Sequence, residues 1–366
     1  MSYSISMSVF TRLIIRISIV LLLITVSVLS HASEYLNSRE GVWVIKDFRF
    51  ESGETIDELR INFTTVGNPK GEPVLILHGT TGSARSMLSP FFAGELFGPE
   101  QPLDARKYFI ILPDAIGAGK TSKPSDGLRM QFPKYNYDDM VKAQYRLVSE
   151  HLNIKHLRMV MGFSMGGMHT WLWATKYPDM LDIAVPMASF PTEMSGRNWM
   201  MRRLLIDSIK SDPDWQGGNY AQQPRNFQLA YLFFGVGTNG GEQALFKKAP
   251  TRTLADDYLN QRLAANFNAD ANDYIYQWDS SRDYNASPNL GSVKAYVLAI
   301  NSDDDERNPR SLNIMEREMK KVKNGREVII RGGEETWGHG TVLQAYRWKK
   351  ELDHALKSSP KILSED

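Results

Sequence analysis

The stretch GFSMGG, residues 162–167, has the spacing G-x-S-x-G around Ser164. A serine in this pattern does chemistry when a strand runs into it and a helix leaves it. The turn then lifts the hydroxyl onto a strained elbow, and the glycines leave room where side chains would clash. Here LRMVMGF (157–163) is a short apolar run, and MGGMHTWLWATKYP (165–178) reads as a helix. A serine hydroxyl is a weak nucleophile at neutral pH, so it needs a base close by and a carboxylate to orient that base. Of the seven histidines, His339 is placed for this role: it lies in TWGHGT, between glycines, after a late strand and before the final helix. His31 belongs to the N-terminal segment, His151 and His156 flank a loop, His169 reads as packed on a helix and His354 is near the chain end.

The carboxylate is expected in INSDDDERNP, where Asp303, Asp304 and Asp305 compete. In a D-x-x-x-P spacing the proline opens the next helix, and Asp305 stands four residues before Pro309. Asp305 is therefore favoured, with Asp304 second. A developing oxyanion needs two backbone N–H donors. The residue after the nucleophile, Met165, supplies one. Thr80, in the HGTTG loop (78–82), supplies the other, with His78 as a structural neighbour. GAGKTS (117–122) imitates a phosphate-binding loop, but the position five before its last glycine is Asp114. A full P-loop needs glycine there, so the segment reads as a loop beside the site. No histidine pair at helical spacing accompanies the aspartates, so a metal is not expected, and an acyl-serine mechanism implies no cofactor.

These residues need a scaffold that brings distant loops together. GVWVIKDFRF and IDELRINFTTVG are β-rich segments separated by turn residues. PVLILHG (73–79), YFIILPDAIG (108–117), LRMVMGFS (157–164) and DIAVPMAS (182–189) are short apolar runs, typical of strands buried on both faces. Helical stretches lie between them, such as 137–152 and 165–178. That alternation predicts an α/β fold, a mostly parallel sheet with helices on both faces. The rhythm breaks at 191–290, which is helical and rich in methionine and aromatic residues, and reads as an inserted cap. It resumes with AYVLAINSDDD (295–305), REVIIRGG (326–333) and a final helix over 341–356. The expected organisation is a core over 35–190, the cap over 191–290 and a second part of the core over 291–360.

Composition is that of a globular protein: 42% hydrophobic, 23% charged, formal net charge +1. The near-zero charge argues against nucleic acid as a partner. The chain has no cysteine, which excludes disulfides, thiolate catalysis and a lipidated cysteine anchor. Arg12 and Arg16 precede the uncharged run ISIVLLLITVSVL (17–29), followed by Ser30-His31-Ala32. This is the pattern of a secretory signal over residues 1–32. The run is shorter than the roughly 20 residues of a spanning helix. A periplasmic or secreted location is expected, with cleavage favoured over retention as an anchor. The expected partners are a small-molecule acyl substrate and, at most, a second copy of the chain.

Together these residues resemble the α/β-hydrolase superfamily, and more narrowly the homoserine O-acetyltransferase family. The resemblance rests on PDAIGAGKTS, FPKYNYDDMVKAQ, GFSMGGMHTWLWATKYPD, DPDWQGGNY, the DxxxNP segment and GHG. It covers nearly all of the chain after the leader. It implies Ser164, Asp305 and His339 as a catalytic triad, and Thr80 and Met165 as oxyanion donors. It also marks a departure. The transferases carry a substrate-binding arginine on a cap helix, and the comparable stretch FQLAYLFFGVGTNG has Tyr231 near that place. A secreted protein would also not meet acetyl-CoA. The expectation is therefore a serine hydrolase acting on an ester or related acyl bond, with O-acyl transfer as the alternative and a non-catalytic binding protein third. The cap aromatics Trp199, Trp215, Tyr231, Phe233 and Phe234 fit either an apolar acyl or aromatic pocket or, at least equally, the core of the cap itself.

Overall fold

A computed structural model describes residues 38–361. The expected leader, residues 1–32, lies outside the described residues. Eight strands form one sheet: β1 (Arg39–Arg49), β2 (Thr55–Gly67), β3 (Glu72–Leu77), β4 (Tyr108–Pro113), β5 (Leu157–Phe163), β6 (Leu181–Met187), β7 (Tyr296–Ser302) and β8 (Gly325–Ile330). Their order is β1-β2-β4-β3-β5-β6-β7-β8. β1 and β2 pair antiparallel, β2 joins β4 antiparallel, and the other pairs are parallel.

The sequence explains the difference between edge and centre. Every residue of β6, and all of β5 but its last, is buried, because parallel strands are covered on both faces. Side chains alternate between those faces. Leu75 and Leu77 enter one core with Trp171, Trp173 and Val160, while Val74 and Ile76 enter the other with Met159 and Trp348. The edge strand β1 is mostly exposed, burying only Ile45 and Phe48.

The helices are α1 (Ala93–Leu96), α2 (Tyr137–Arg146), α3 (Met165–Lys176), α4 (Gly196–Lys210), α5 (Phe227–Thr238), α6 (Glu242–Lys248), α7 (Arg252–Ala264), α8 (Ala271–Asp279), α9 (Ile314–Met319) and α10 (Lys349–Ser358). Helices α4 to α8 all fall between β6 and β7, and α4, α5 and α8 share a third core built around Leu205, Ile209, Phe227, Phe234 and Trp278. The final helix is shorter than the sequence pattern predicts. It starts at Lys349, because residues 338–343 and 345–347 form 3₁₀ turns. The ring N–H of Trp348 donates to the Val342 carbonyl at 2.7 Å, tying those turns down before the helix begins. Among the described residues, no helix is long and apolar enough to cross a membrane.

Candidate active site

Ser164 sits between β5 and α3 with φ 56° and ψ −110°, a region that costs an L-residue about 1–3 kcal/mol. Packing on both sides holds it there. A Cβ on Gly162 would come within 2.2 Å of the Gly166 carbonyl oxygen, and one on Gly166 within 2.2 Å of the Leu77 carbonyl oxygen. Only glycine lets β5, α3 and β3 approach this closely. The Ser164 N–H donates to Met187 O of β6 at 2.9 Å, so the elbow is tied to its neighbouring strand.

His339 and Asp305 reach this elbow from loops after β8 and β7. The serine Oγ lies 2.8 Å from His339 Nε2, and His339 Nδ1 lies 2.9 Å from Asp305 Oδ2. A carboxylate only accepts, so Nδ1 carries the ring proton and Nε2 is left to accept from the serine. All three residues are buried. Asp305 also receives the Arg307 N–H at 2.8 Å and the Asn308 side-chain amide at 2.9 Å. Burial opposes ionisation of Asp305, but His339 and these donors outweigh it and hold the carboxyl below its usual range. Burial pushes the His339 imidazole down, and the nearby Arg307 and Arg202 add to that against the pull of Asp305. The ring is therefore neutral near neutral pH, which is the form that can take a proton.

The other two aspartates are engaged elsewhere. Asp304 accepts from the hydroxyls of Ser302 and Thr336, and Asp303 accepts from the Gly332 N–H. Of the three, Asp305 is the one that meets His339. Four other histidines are engaged elsewhere. His78 accepts the Ala115 N–H on Nε2 and faces the Gly79 carbonyl with Nδ1. His169 meets the Gln144 amide, His151 stacks on Trp43, and His156 faces Asp182.

The N–H of Met165 is the first of α3 and has no carbonyl one turn back inside the helix. Thr80 lies in the loop after β3, and its hydroxyl is buried without a partner among the described residues. That loop is held from the cap: Gln277 of α8 accepts the Thr81 N–H at 2.7 Å and donates to Gly117 O at 2.5 Å. The GAGKTS segment therefore contributes a carbonyl anchor to the loop of Thr80 and Thr81. Asp114 takes the Lys120, Ala84 and Asn62 donors, so this loop is folded around a buried carboxylate.

A small cavity of about 80 Å³ opens beside Ser164 and His339, and its walls include Met168, Phe190, Met194, Arg202 and Arg307. A water fills roughly 10–15 Å³ on the same measure, so the space suits a short group of a few heavy atoms. The cap aromatics divide between a packed core and a second, larger cavity of about 750 Å³, where Tyr231 and Phe234 line the wall with Arg307. None of Trp199, Trp215, Tyr231, Phe233 or Phe234 lines the small cavity beside Ser164. Phe233 is 65% exposed, Phe234 packs on Trp278, and Tyr231 packs on Phe267 and Tyr274. The cap helices turn their aromatics toward one another to build a core, because a helical layer must bury a stripe of its own.

A hydroxyl, an imidazole and a carboxylate in line, beside backbone N–H groups at a helix start, can attack a carbonyl and hold the resulting oxyanion. The family model described as alpha/beta hydrolase fold matches residues 72–335. The chain belongs to the α/β-hydrolase family. Within it, the chain is similar to the homoserine O-acetyltransferase of Solidesulfovibrio magneticus, 30% identical over 341 residues, covering 80% of this chain and 84% of that one. Among solved structures, homoserine O-acetyltransferase from Bacillus anthracis superposes with a TM-score of 0.76 at 22% identity, over 89% of this chain and 99% of that one. An acetylester hydrolase from Corynebacterium glutamicum superposes with a TM-score of 0.75 at 20% identity, over 87% and 96%. This α/β-hydrolase is thus an enzyme of the esterase or acyltransferase kind.

Sequence reasoning missed three residues near the site: Arg202, Arg307 and Gln277. A signal for the first was present. Arg202 shares one face of α4 with Leu205, Ile206 and Ile209, all buried, so it is an arginine in an apolar stripe. Arg307 and Gln277 carried no such mark.

Proposed function

We propose that this α/β-hydrolase is a serine hydrolase of short-chain esters, exported from the cytoplasm. The observation that carries the reading is the unbroken line from Ser164 through His339 to Asp305, at 2.8 and 2.9 Å, on a strained elbow. His339 Nε2 takes the Ser164 proton as Oγ attacks the ester carbonyl. The N–H groups of Thr80 and Met165 hold the oxyanion, and Asp305 stabilises the imidazolium. His339 then returns the proton to the leaving alcohol, and an acyl-serine remains. Water, deprotonated by the same histidine, releases the acid. The small cavity supports a short acyl or alcohol group, and the leader pattern in residues 1–32 supports export.

The second reading is transfer of the acyl group to an alcohol, which the homoserine O-acetyltransferase relatives favour. Two assays separate them, on the mature protein and a Ser164→Ala variant. One follows p-nitrophenyl esters of increasing acyl length, and the other follows CoA release from acetyl-CoA with homoserine. The expected result is turnover of short esters, lost in the variant, with no CoA release. Homoserine-dependent CoA release would replace hydrolysis with transfer. Ester turnover that survives Ser164→Ala would overturn both.

A further inference from the structure

Two arginines stand at the wall of the Ser164 cavity without a carboxylate partner. Arg202, on α4, is 1% exposed, and its Nε and Nη1 donate to Asn198 Oδ1 and Ser281 Oγ, each at 3.1 Å. Arg307, in the loop after β7, donates through Nε to Thr238 Oγ1 at 3.1 Å. Among the described residues, both Nη groups of Arg307 are uncommitted, and no carboxylate hydrogen-bonds to either guanidinium. Each lies over a cap aromatic: Arg202 is 4.6 Å from the Trp278 ring and Arg307 is 4.8 Å from the Phe234 ring. Those two rings are themselves 4.4 Å apart. The two positive groups are thus stacked on the two ends of one aromatic pair, and both face the cavity that holds Ser164 and His339.

The charge count around this cavity is unbalanced. Asp305 is engaged by His339, Asn308 and a backbone N–H. At the mouth, Glu306 is paired with Arg197, and Glu193 is exposed. Burial lowers the pKa of both arginines, that of Arg307 to about 10, and a guanidinium is too strong a base to lose its proton in a protein. Two guanidinium charges against one buried carboxylate leave a surplus of one positive charge. A buried charge without a partner is costly, and guanidinium groups are shaped to take a carboxylate on two N–H donors.

We infer that Arg307, backed by Arg202, forms a carboxylate subsite, and that the substrate is an ester carrying a carboxylate a few bonds from its scissile carbonyl. This rests on the reading of Ser164 as the nucleophile. Neither arginine lies in the stretch around Tyr231, and neither is on the helix that carries it. The charge is supplied instead by α4 and by the loop that presents the triad acid. The carboxylate can sit on the acyl part or on the alcohol part of the ester, and the test treats the two separately.

The acyl arm compares monomethyl glutarate with methyl glutaramate, and the alcohol arm compares 4-acetoxybutanoate with 4-acetoxybutanamide. Each pair differs by carboxylate against amide, and hydrolysis is followed by proton release. The expected result is kcat/KM at least about tenfold higher for the carboxylate in one arm, as one charge-paired contact gives, and a ratio near one in Arg307→Gln. Calorimetry on the wild-type protein with glutarate and with glutaramide needs neither turnover nor a variant. Glutarate is expected to bind at least about tenfold tighter. Equal binding of the two, with carboxylate esters no better than amides in either arm, would overturn the subsite even when a fluorophosphonate labels Ser164. If the fluorophosphonate leaves Ser164 unlabelled while glutarate still binds selectively, the nucleophile assignment fails and the anion subsite stands.

Discussion

The sheet and the cap are built differently. Strands β3, β5 and β6 are buried almost end to end, and the helices beside them carry fully buried side chains such as Trp171 and Trp173. The cap buries fewer residues and leaves Met200, Leu204, Leu229, Phe233 and Phe246 exposed. Ser164, His339, Asp305 and Thr80 all sit on loops at the carboxyl ends of parallel strands, where the sheet fixes their spacing. Arg202 and Gln277 come from the less buried cap. The hydrogen-bonded serine, histidine and aspartate thus stand on the part that is buried end to end, with Arg307 on the same loop as Asp305, and the cap adds Arg202 and Gln277 beside them.

The largest test of that division compares neighbouring aspartates on one loop. Asp305→Asn is expected to lower kcat by about 10⁴-fold, because the imidazole loses its fixed tautomer. Asp304→Asn, which touches only the contacts with the Ser302 and Thr336 hydroxyls, is expected to change kcat by less than about tenfold. Equal losses would mean that the loop, and not the His339 contact, carries the effect. The next test concerns stability. Trp171→Ala in the buried core is expected to cost about 3–5 kcal/mol, and Phe233→Ser on the exposed face of the cap about 0.5 kcal/mol or less. Urea unfolding midpoints check both, and a large loss at Phe233 would show that the cap surface is covered by something.

Gln277 tests the connection between the two regions. Gln277→Ala frees the Thr81 N–H and the Gly117 carbonyl. It is expected to lower kcat by about tenfold, with KM little changed, since a displaced oxyanion donor weakens the transition state more than the ground state. A rise in KM alone would give Gln277 a binding role instead. The smallest effect is a shift in pH dependence. His339 must be neutral to act, and its pKa is lowered. The acid limb of kcat/KM is therefore expected below about pH 6.5, the unperturbed histidine value, with activity lost as pH falls through it. Arg307→Gln removes a positive neighbour of His339, so the limb should move up. A downward move would contradict the electrostatic account.

Much of this molecule is written locally. Short apolar runs bounded by glycine and proline mark the buried strands, because a parallel strand covered on both faces leaves no polar position. The strand, G-x-S-x-G and helix around Ser164 mark the elbow, since each residue there answers to a backbone constraint only a few positions away. The cap aromatics stayed between pocket and core on sequence alone, because composition tells that a side chain is apolar but not whether it faces a cavity or another helix. Three adjacent aspartates are likewise equivalent to a reading of spacing alone. Only the turn after β7, which aims Asp305 at a ring 34 residues later and turns Asp304 to Thr336, separates them. The same holds for Arg202 and Arg307, 105 positions apart in the numbering. The sequence by itself determined the elements, the elbow serine and its histidine. Tertiary structure alone decided which carboxylate orients that histidine and which charges face it, because those depend on the packing of distant segments in three dimensions.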